Sequence, residues 1–259
     1  MKSALNPSIY GRLIDRYLFN FRVDPEVLEG HLPPVNWLKP RVINGSGVVS
    51  FCLLNLEGVT LWPLPSQPGF DTISCAYRCA VMDASGTSPE PSVYVLGRNT
   101  NLPLARRFGS MLFSGAMKMI RTSIEHEQSV VDIRASYIDG QPLFSAKVSP
   151  SRAGSTSDSK LFGSLEAFVD FIKGGKSSYT PSTREDRYSR VDLTEDSNYY
   201  EAINARIDYS WLDSVWPDAN LVFDSAFRAG GGRYRLKYRG SVLAKAKALS
   251  LMQAPVIRG

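Results

Sequence analysis

The chain has 259 residues, enough for one large domain or two small ones. Hydrophobic residues make up 43% and charged residues 21%, the balance of a soluble globular protein with a core, and no apolar run approaches the ~20 residues that span a bilayer. No membrane-spanning helix is therefore expected, and the net charge of +5 is mild and falls largely between Arg228 and Lys247, so a nucleic-acid role has only that segment to rest on.

The opening residues, MKSALNPSIYGRLIDRYLF, carry Asn6, Pro7 and Arg12 where a secretory signal needs an apolar stretch, so a cytoplasmic protein is expected. Residues 16–23, RYLFNFRV, alternate and predict a strand. DPEVLEGHL then offers Asp24 as N-cap, Pro25 at the first helical position and Glu26 in the first turn, which predicts a short helix ending near Gly30. RVINGSGVVSFCLLNLEGVTLW reads as two strands around an Asn44-Gly45 turn. Asn44-Gly45-Ser46 is formally a glycosylation sequon, which has no meaning without secretion. PLPSQPGF is a proline-rich loop. TISCAYRCAVM and PSVYVLGR are strands separated by the turn-rich DASGTSPEP. Cys52, Cys75 and Cys79 lie in such strand interiors and read as reduced, buried small hydrophobes.

NLPLARRFGSML reads as a short helix, and MKMIRTSIEHEQSVVDIRASYI as a hairpin turning near His126. PLFSAKVSP is a further strand, and SRAGSTSDSK a polar loop. SLEAFVDFIKGG is the clearest helix: Ser164 caps it, Leu165, Phe168, Val169 and Ile172 form an apolar stripe, and Gly174 stops it. Later strands are expected at 187–192, 219–229 and 233–239, with a helical piece near Trp211–Trp216 and a hairpin turn at Gly230-Gly231-Gly232. In RYRLKYR, Arg233, Arg235, Lys237 and Arg239 alternate with Tyr234, Leu236 and Tyr238, the pattern of one solvated strand face; the competing reading is a basic-surface phosphate or nucleic-acid binder. Many strands at short spacing with two or three short helices, no linker and no repeat predict an α+β fold. We expect one domain over 1–259 around a closed or nearly closed, mainly antiparallel β-barrel with an internal cavity.

No cofactor motif stands out, and metal ligands are poorly supplied. Glu125-His126-Glu127 has only His31 as a second histidine, and Cys75 and Cys79 lack a partner pair. Ser157-x-x-Lys160 matches a serine–lysine acylation pattern but sits in the polar loop rather than at a helix start. A small-molecule ligand is therefore the expected partner, and whether the chain forms a homo-oligomer is left open.

The order of motifs resembles the acetoacetate decarboxylase-like superfamily, in a branch described as a domain of unknown function. RYLFNFRVDPEVLEGHLPP is similar to the opening of such proteins, NTNLPLARRFGSMLF to the segment before their active-site lysine, and SLEAFVDFIKGGKSSYTP to a helix-plus-tyrosine segment; together they run from about Arg16 to Trp216. The resemblance implies a β-barrel around an apolar cavity. In the decarboxylase proper it would imply a Schiff-base lysine, an arginine for the substrate carboxylate and an assisting glutamate. That lysine needs a lowered pKa, which desolvation or a neighbouring cation supplies. Arg16 matches the arginine. No glutamate stands in the strand ISCAYRCAV, where Tyr77 and Arg78 occupy the region, and Glu57 in LNLEGV is the carboxylate left to serve. The family's Pro-Lys-Lys would fall near Gly115-Ala116; Lys118 lies two or three residues later without a proline before it. In a strand, Lys118 shares a face with Ile120, Thr122 and Ile124, the more apolar one.

Two readings follow. In the first, the chain binds an apolar or weakly acidic metabolite, with Arg16, Glu57, Tyr77 and Arg78 as candidate contacts. In the second it is a lyase, a decarboxylase, aldolase or dehydratase acting on a keto acid through Lys118.

Overall fold

Alternation of apolar and polar side chains becomes a set of long strands. In the computed structural model, which describes residues 7–62, 69–107, 117–151, 158–183 and 186–244, the chain order begins with strand β1 (Ser8–Val23), helix α1 (Pro25–His31), β2 (Leu38–Pro40), β3 (Gly47–Trp62) and β4 (Phe70–Asp83). Next come β5 (Glu90–Val95), β6 (Arg98–Thr100), a helical turn at 103–107, β7 (Met117–Glu127), β8 (Val130–Tyr137) and β9 (Pro142–Pro150). The remainder is α2 (Leu165–Gly174), β10 (Ser177–Pro181), β11 (Arg187–Asp196), β12 (Tyr199–Ser210), α3 (Trp211–Val215) and β13 (Val222–Leu243).

The strands close on themselves. Following hydrogen-bonded neighbours, β1, β3, β4, β5, β10, β11 and β13 form a ring, because β13 returns to pair with β1. A second circuit leaves β4 through β6, β7, β8, β9 and β12 and rejoins β13. The two circuits share β13, β1, β3 and β4. The pairings in these circuits are antiparallel except β5–β10 and β6–β7, which are parallel and three residues long each.

Because strand side chains alternate between faces, the shared strands supply two interiors at once. Tyr17, Phe19, Phe51 and Tyr77 face the second circuit, where Phe51 stacks on Phe144 of β9 at 4.0 Å between ring centroids. Arg16, Leu18, Cys52 and Arg78 face into the first ring. One end of that ring is filled by Phe162 and by α2, whose Phe168 stacks on Phe227 of β13 at 3.6 Å and packs with Leu18, Val48 and Cys52. Helix α2 starts where the Ser164 hydroxyl accepts the Ala167 N–H at 3.1 Å. In α1 the Asp24 carboxylate accepts the Glu26 N–H at 2.8 Å. Both caps stand where the residue types place them. The three cysteines are buried and free.

Several expectations are corrected. Ile43 and Ser46 form a single bridge around the Asn44-Gly45 turn, and the strand expected before it is instead β2, which pairs with β4. The segment PSVYVLGR breaks at Leu96-Gly97 into β5 and the start of β6. The β7–β8 turn falls at Gln128-Ser129, so exposed His126 belongs to β7. Strand β12 has no counterpart among the expected elements. Gly230, Gly231 and Gly232 form no hairpin: β13 runs through them. A Cβ on Gly230 would overlap the Ile14 carbonyl of β1, one on Gly232 would overlap the Asp196 carbonyl, and Gly231 has φ +74°. The triplet is thus the place where the β11–β12 turn crosses closely over β13, and only glycine leaves room. The proline-rich loop 63–68, the end of the 101–112 segment and most of the 151–160 loop, with Ser157, lie outside the described residues.

Candidate functional site

The part of the first ring that α2 does not fill is a cavity of about 380 Å³. Its walls are mostly apolar: Leu54, Leu56, Phe70, Val95, Leu193 and Leu236 come from five of the ring strands. Leu104, which also lines it, is 40% exposed, so that side is open to solvent. Volumes of this order hold small ligands.

Three arginines line this apolar space: Arg16 of β1, Arg78 of β4 and Arg98 of β6. The sheet register explains how two of them meet. Arg16 pairs with Leu54, Cys52 with Ala76, and Arg78 with Ser50. Arg16, Cys52 and Arg78 are therefore diagonal neighbours across three adjacent strands, within reach of long side chains. Arg16 and Arg78 also line a smaller pocket of about 40 Å³ that continues toward Arg41 and the end of α2.

The arginines differ in what neutralises them. The Arg16 side chain is 2% exposed and forms an ion pair with Glu195 of β11, itself 5% exposed. Burial alone would lower the Arg16 pKa, but the Glu195 charge, with smaller help from Cys52, raises it well above the ordinary value. Glu195 is held in turn by the Ser197 hydroxyl. Arg98 donates from Nη2 to Ser178 Oγ at 2.9 Å and from Nε to Thr180 Oγ1 at 3.2 Å, both on β10. Those partners are neutral, and burial holds the Arg98 pKa below its usual value. Arg78 has no hydrogen bond or ion pair from its guanidinium among the described residues, and its Nε is buried without a partner. Burial and the neighbouring Arg16 charge lower its pKa, Cys52 and Glu195 acting the other way. A guanidinium starts so high that all three remain cationic. Tyr234 of β13 lines the same space, and burial pushes its phenol up to about 12. The apolar cavity thus holds three cations with one carboxylate, Glu195, beside them among the described residues.

Among solved structures, the chain is similar to the acetoacetate decarboxylase of Legionella pneumophila, with a TM-score of 0.64 and 12% identity over 93% of this chain and 92% of that one. This chain has the acetoacetate decarboxylase-like fold. It is also similar to an acetoacetate decarboxylase-like enzyme from Sphingomonas wittichii RW1 (TM-score 0.58, 14% identity, 92% of each chain). A third neighbour is the enduracididine biosynthesis enzyme MppR, solved in complex with pyruvate (TM-score 0.55, 12% identity, 94% of this chain and 92% of that one). No family model and no curated protein matches the sequence.

Within the acetoacetate decarboxylase-like fold, the residues singled out from sequence go to different places. Arg16 and Arg78 come together in the cavity. Arg16 stands in the middle of β1, which begins at Ser8 and not at Arg16 as expected. Tyr77 is one residue from Arg78 and so faces the other circuit, where its hydroxyl donates to the Leu143 carbonyl at 3.0 Å and lies 2.9 Å from Ser210 Oγ. Glu57 is half-exposed and pairs with Arg12 at the bulge beside Gly58, outside the cavity. Lys118 is exposed, with its Nζ over the Tyr137 ring at 4.9 Å, while its neighbour Met117 lines the cavity. No lysine lies among the described lining residues.

Arg98, Glu195 and Tyr234 join the site without having stood out in the sequence. Glu195 does carry a signal there, since it shares the period-2 face of Val191 and Leu193 in RVDLTED. Arg98 follows the Leu96-Gly97 break, where strand phase is lost, so its orientation has no counterpart in the sequence. Among the described residues, no helix is long and apolar enough to cross a membrane.

Proposed function

We propose that the protein binds a small organic anion with an apolar body, taken into the ring with its charged group toward the arginines and its apolar part toward Leu104 and Leu236. The observation that carries this reading is Arg78, a cavity-facing guanidinium without an acid partner among the described residues. Leaving a cation unpaired in an apolar space is unfavourable, and a carboxylate that meets it forms charge-assisted hydrogen bonds worth about 1.5–3 kcal/mol. Each methylene that leaves water for the apolar wall adds about 0.8 kcal/mol. The pyruvate complex of MppR supports the reading as a case of a small carboxylate held by a protein of this fold.

The lyase reading through Lys118 has less support. A Schiff-base amine must stand in the substrate cavity with a lowered pKa, and Lys118 is exposed on the strand face opposite to Met117. The basic face of β13 also has less: Arg239 is tied to Asp192 at 2.6 Å, and Arg235 lies over the Tyr10 ring at 5.1 Å.

Two measurements test the proposal. Calorimetric titration is expected to show binding of hexanoate and much weaker binding of hexanamide, its neutral counterpart. Equal affinity for the two would overturn the anion reading. Incubation with acetoacetate or pyruvate plus borohydride is expected to leave the intact mass unchanged; an adduct absent from Lys118→Ala would restore the lyase reading.

A further inference from the structure

The arginine count exceeds what a monocarboxylate neutralises. Glu195 compensates Arg16, so two cations are left, and they are held apart. The Arg98 guanidinium is fixed to Ser178 and Thr180 on β10. Strand β10 lies two places from β4 in the ring, with β5 between them, which is about 9–10 Å across a sheet. The Arg78 guanidinium instead shares the smaller pocket with Arg16 and Arg41, a pocket whose described lining does not include Arg98. Tyr234, 4% exposed, also lines the cavity and sits opposite Glu195 in the β11–β13 register. Ser178 has no capacity to replace a charged partner, because its hydroxyl already donates to the Val191 carbonyl at 3.1 Å.

We infer that the cavity is built for a ligand with two anionic groups separated by a short spacer, a linear dicarboxylate in chemical class. One carboxylate meets Arg78 beside the Arg16–Glu195 pair. The other meets Arg98, which keeps its two hydroxyl partners and has further N–H groups to donate, since a guanidinium carries five. The spacer crosses the cavity between them. A single compact dianion such as inorganic phosphate satisfies one position only and leaves the second cation uncompensated. This inference rests on the organic-anion reading of the same cavity and adds the number and spacing of the charges.

The test is calorimetry at a pH where every carboxyl is ionised and at fixed salt, with succinate, glutarate and adipate against butyrate, hexanoate and inorganic phosphate. At least one of the diacids is expected to bind roughly tenfold to a hundredfold tighter than the monoacids, the range one added charge-assisted hydrogen bond gives. Arg98→Met is expected to remove that advantage, bringing the diacids to the affinity of hexanoate for the same variant, whereas Arg78→Met weakens monoacids and diacids alike. Circular dichroism of each variant checks that it is folded. Monoacids binding as tightly as every diacid, or phosphate binding tightest, would overturn the two-charge inference while leaving the anion reading intact. If neither monoacids nor diacids bind, both fall together.

Discussion

Arg16 and Arg78 are the same side chain in the same cavity, yet they should behave in opposite ways when altered. Arg16 has a buried partner, so Glu195→Gln leaves a cation uncompensated at 2% exposure. Loss of one member of such a pair destabilises by about 3–5 kcal/mol, which a lower urea midpoint would show. Arg78 is already uncompensated, so Arg78→Met removes an unfavourable charge and keeps a side chain of similar reach. Ligand-free Arg78→Met should be more stable than the native protein by about 1–3 kcal/mol, with an unchanged denaturant slope. A destabilised Arg78→Met would mean that Arg78 has a structural partner after all. Stability given up at a binding residue is the usual trade-off. Arg78 was legible in the sequence as a charge inside the apolar run ISCAYRCAV. Its distinction from Arg16 was not, because it depends on Glu195, 179 positions along the chain from Arg16.

At the scale of elements, what was legible is what neighbours in sequence determine. Asp24 and Ser164 fix the starts of α1 and α2, and alternation fixes β4 and β9. What was not legible is which of two interiors a strand face meets. Lys118 does share a face with Ile120, as the period requires, but buried Ile120 belongs to the core of the second circuit and not to the cavity. Sequence alternation shows an apolar face without showing which apolar space it borders. The glycine triplet misled for a similar reason. A turn and a close crossing both select glycine, and only the β11–β12 turn, whose Asn198 N–H donates to the Gly230 carbonyl at 2.9 Å, decides between them. Gly232→Ala should accordingly destabilise by about 3 kcal/mol or more, since backbone must move to admit the methyl group. A hairpin turn there would tolerate alanine far better, and urea denaturation separates the two.

The whole molecule depends on pairings remote in sequence. Strand β1 meets β13 along fourteen register pairs, Ser8 opposite Lys237 at one end and Arg22 opposite Val222 at the other. Nothing local in either segment encodes that meeting, so closure of the ring could be expected from strand number but not assigned. The two circuits are closed by short seams, β5–β10 with three register pairs in the first, and β6–β7 with three and β4–β6 with two in the second. Local opening follows the weakest pairing. Amide exchange should therefore be fastest at Ser177–Tyr179 and Arg98–Thr100 and slowest in β1, β3 and the middle of β13. Uniform protection across these strands would contradict the view that the seams are where the rings open. Bound ligand should slow exchange at both seams, because Arg98 belongs to β6 and its hydroxyl partners to β10.

The central claim is that an arginine cluster, and not a lysine, receives the ligand. A crystal structure of the protein with bound hexanoate tests it most directly. The account predicts the carboxylate within hydrogen-bond distance of the Arg78 guanidinium, with the hydrocarbon chain along Leu54 and Leu236. A carboxylate placed away from Arg78, or carbon density continuous with the Lys118 amine when acetoacetate is used instead, would contradict it.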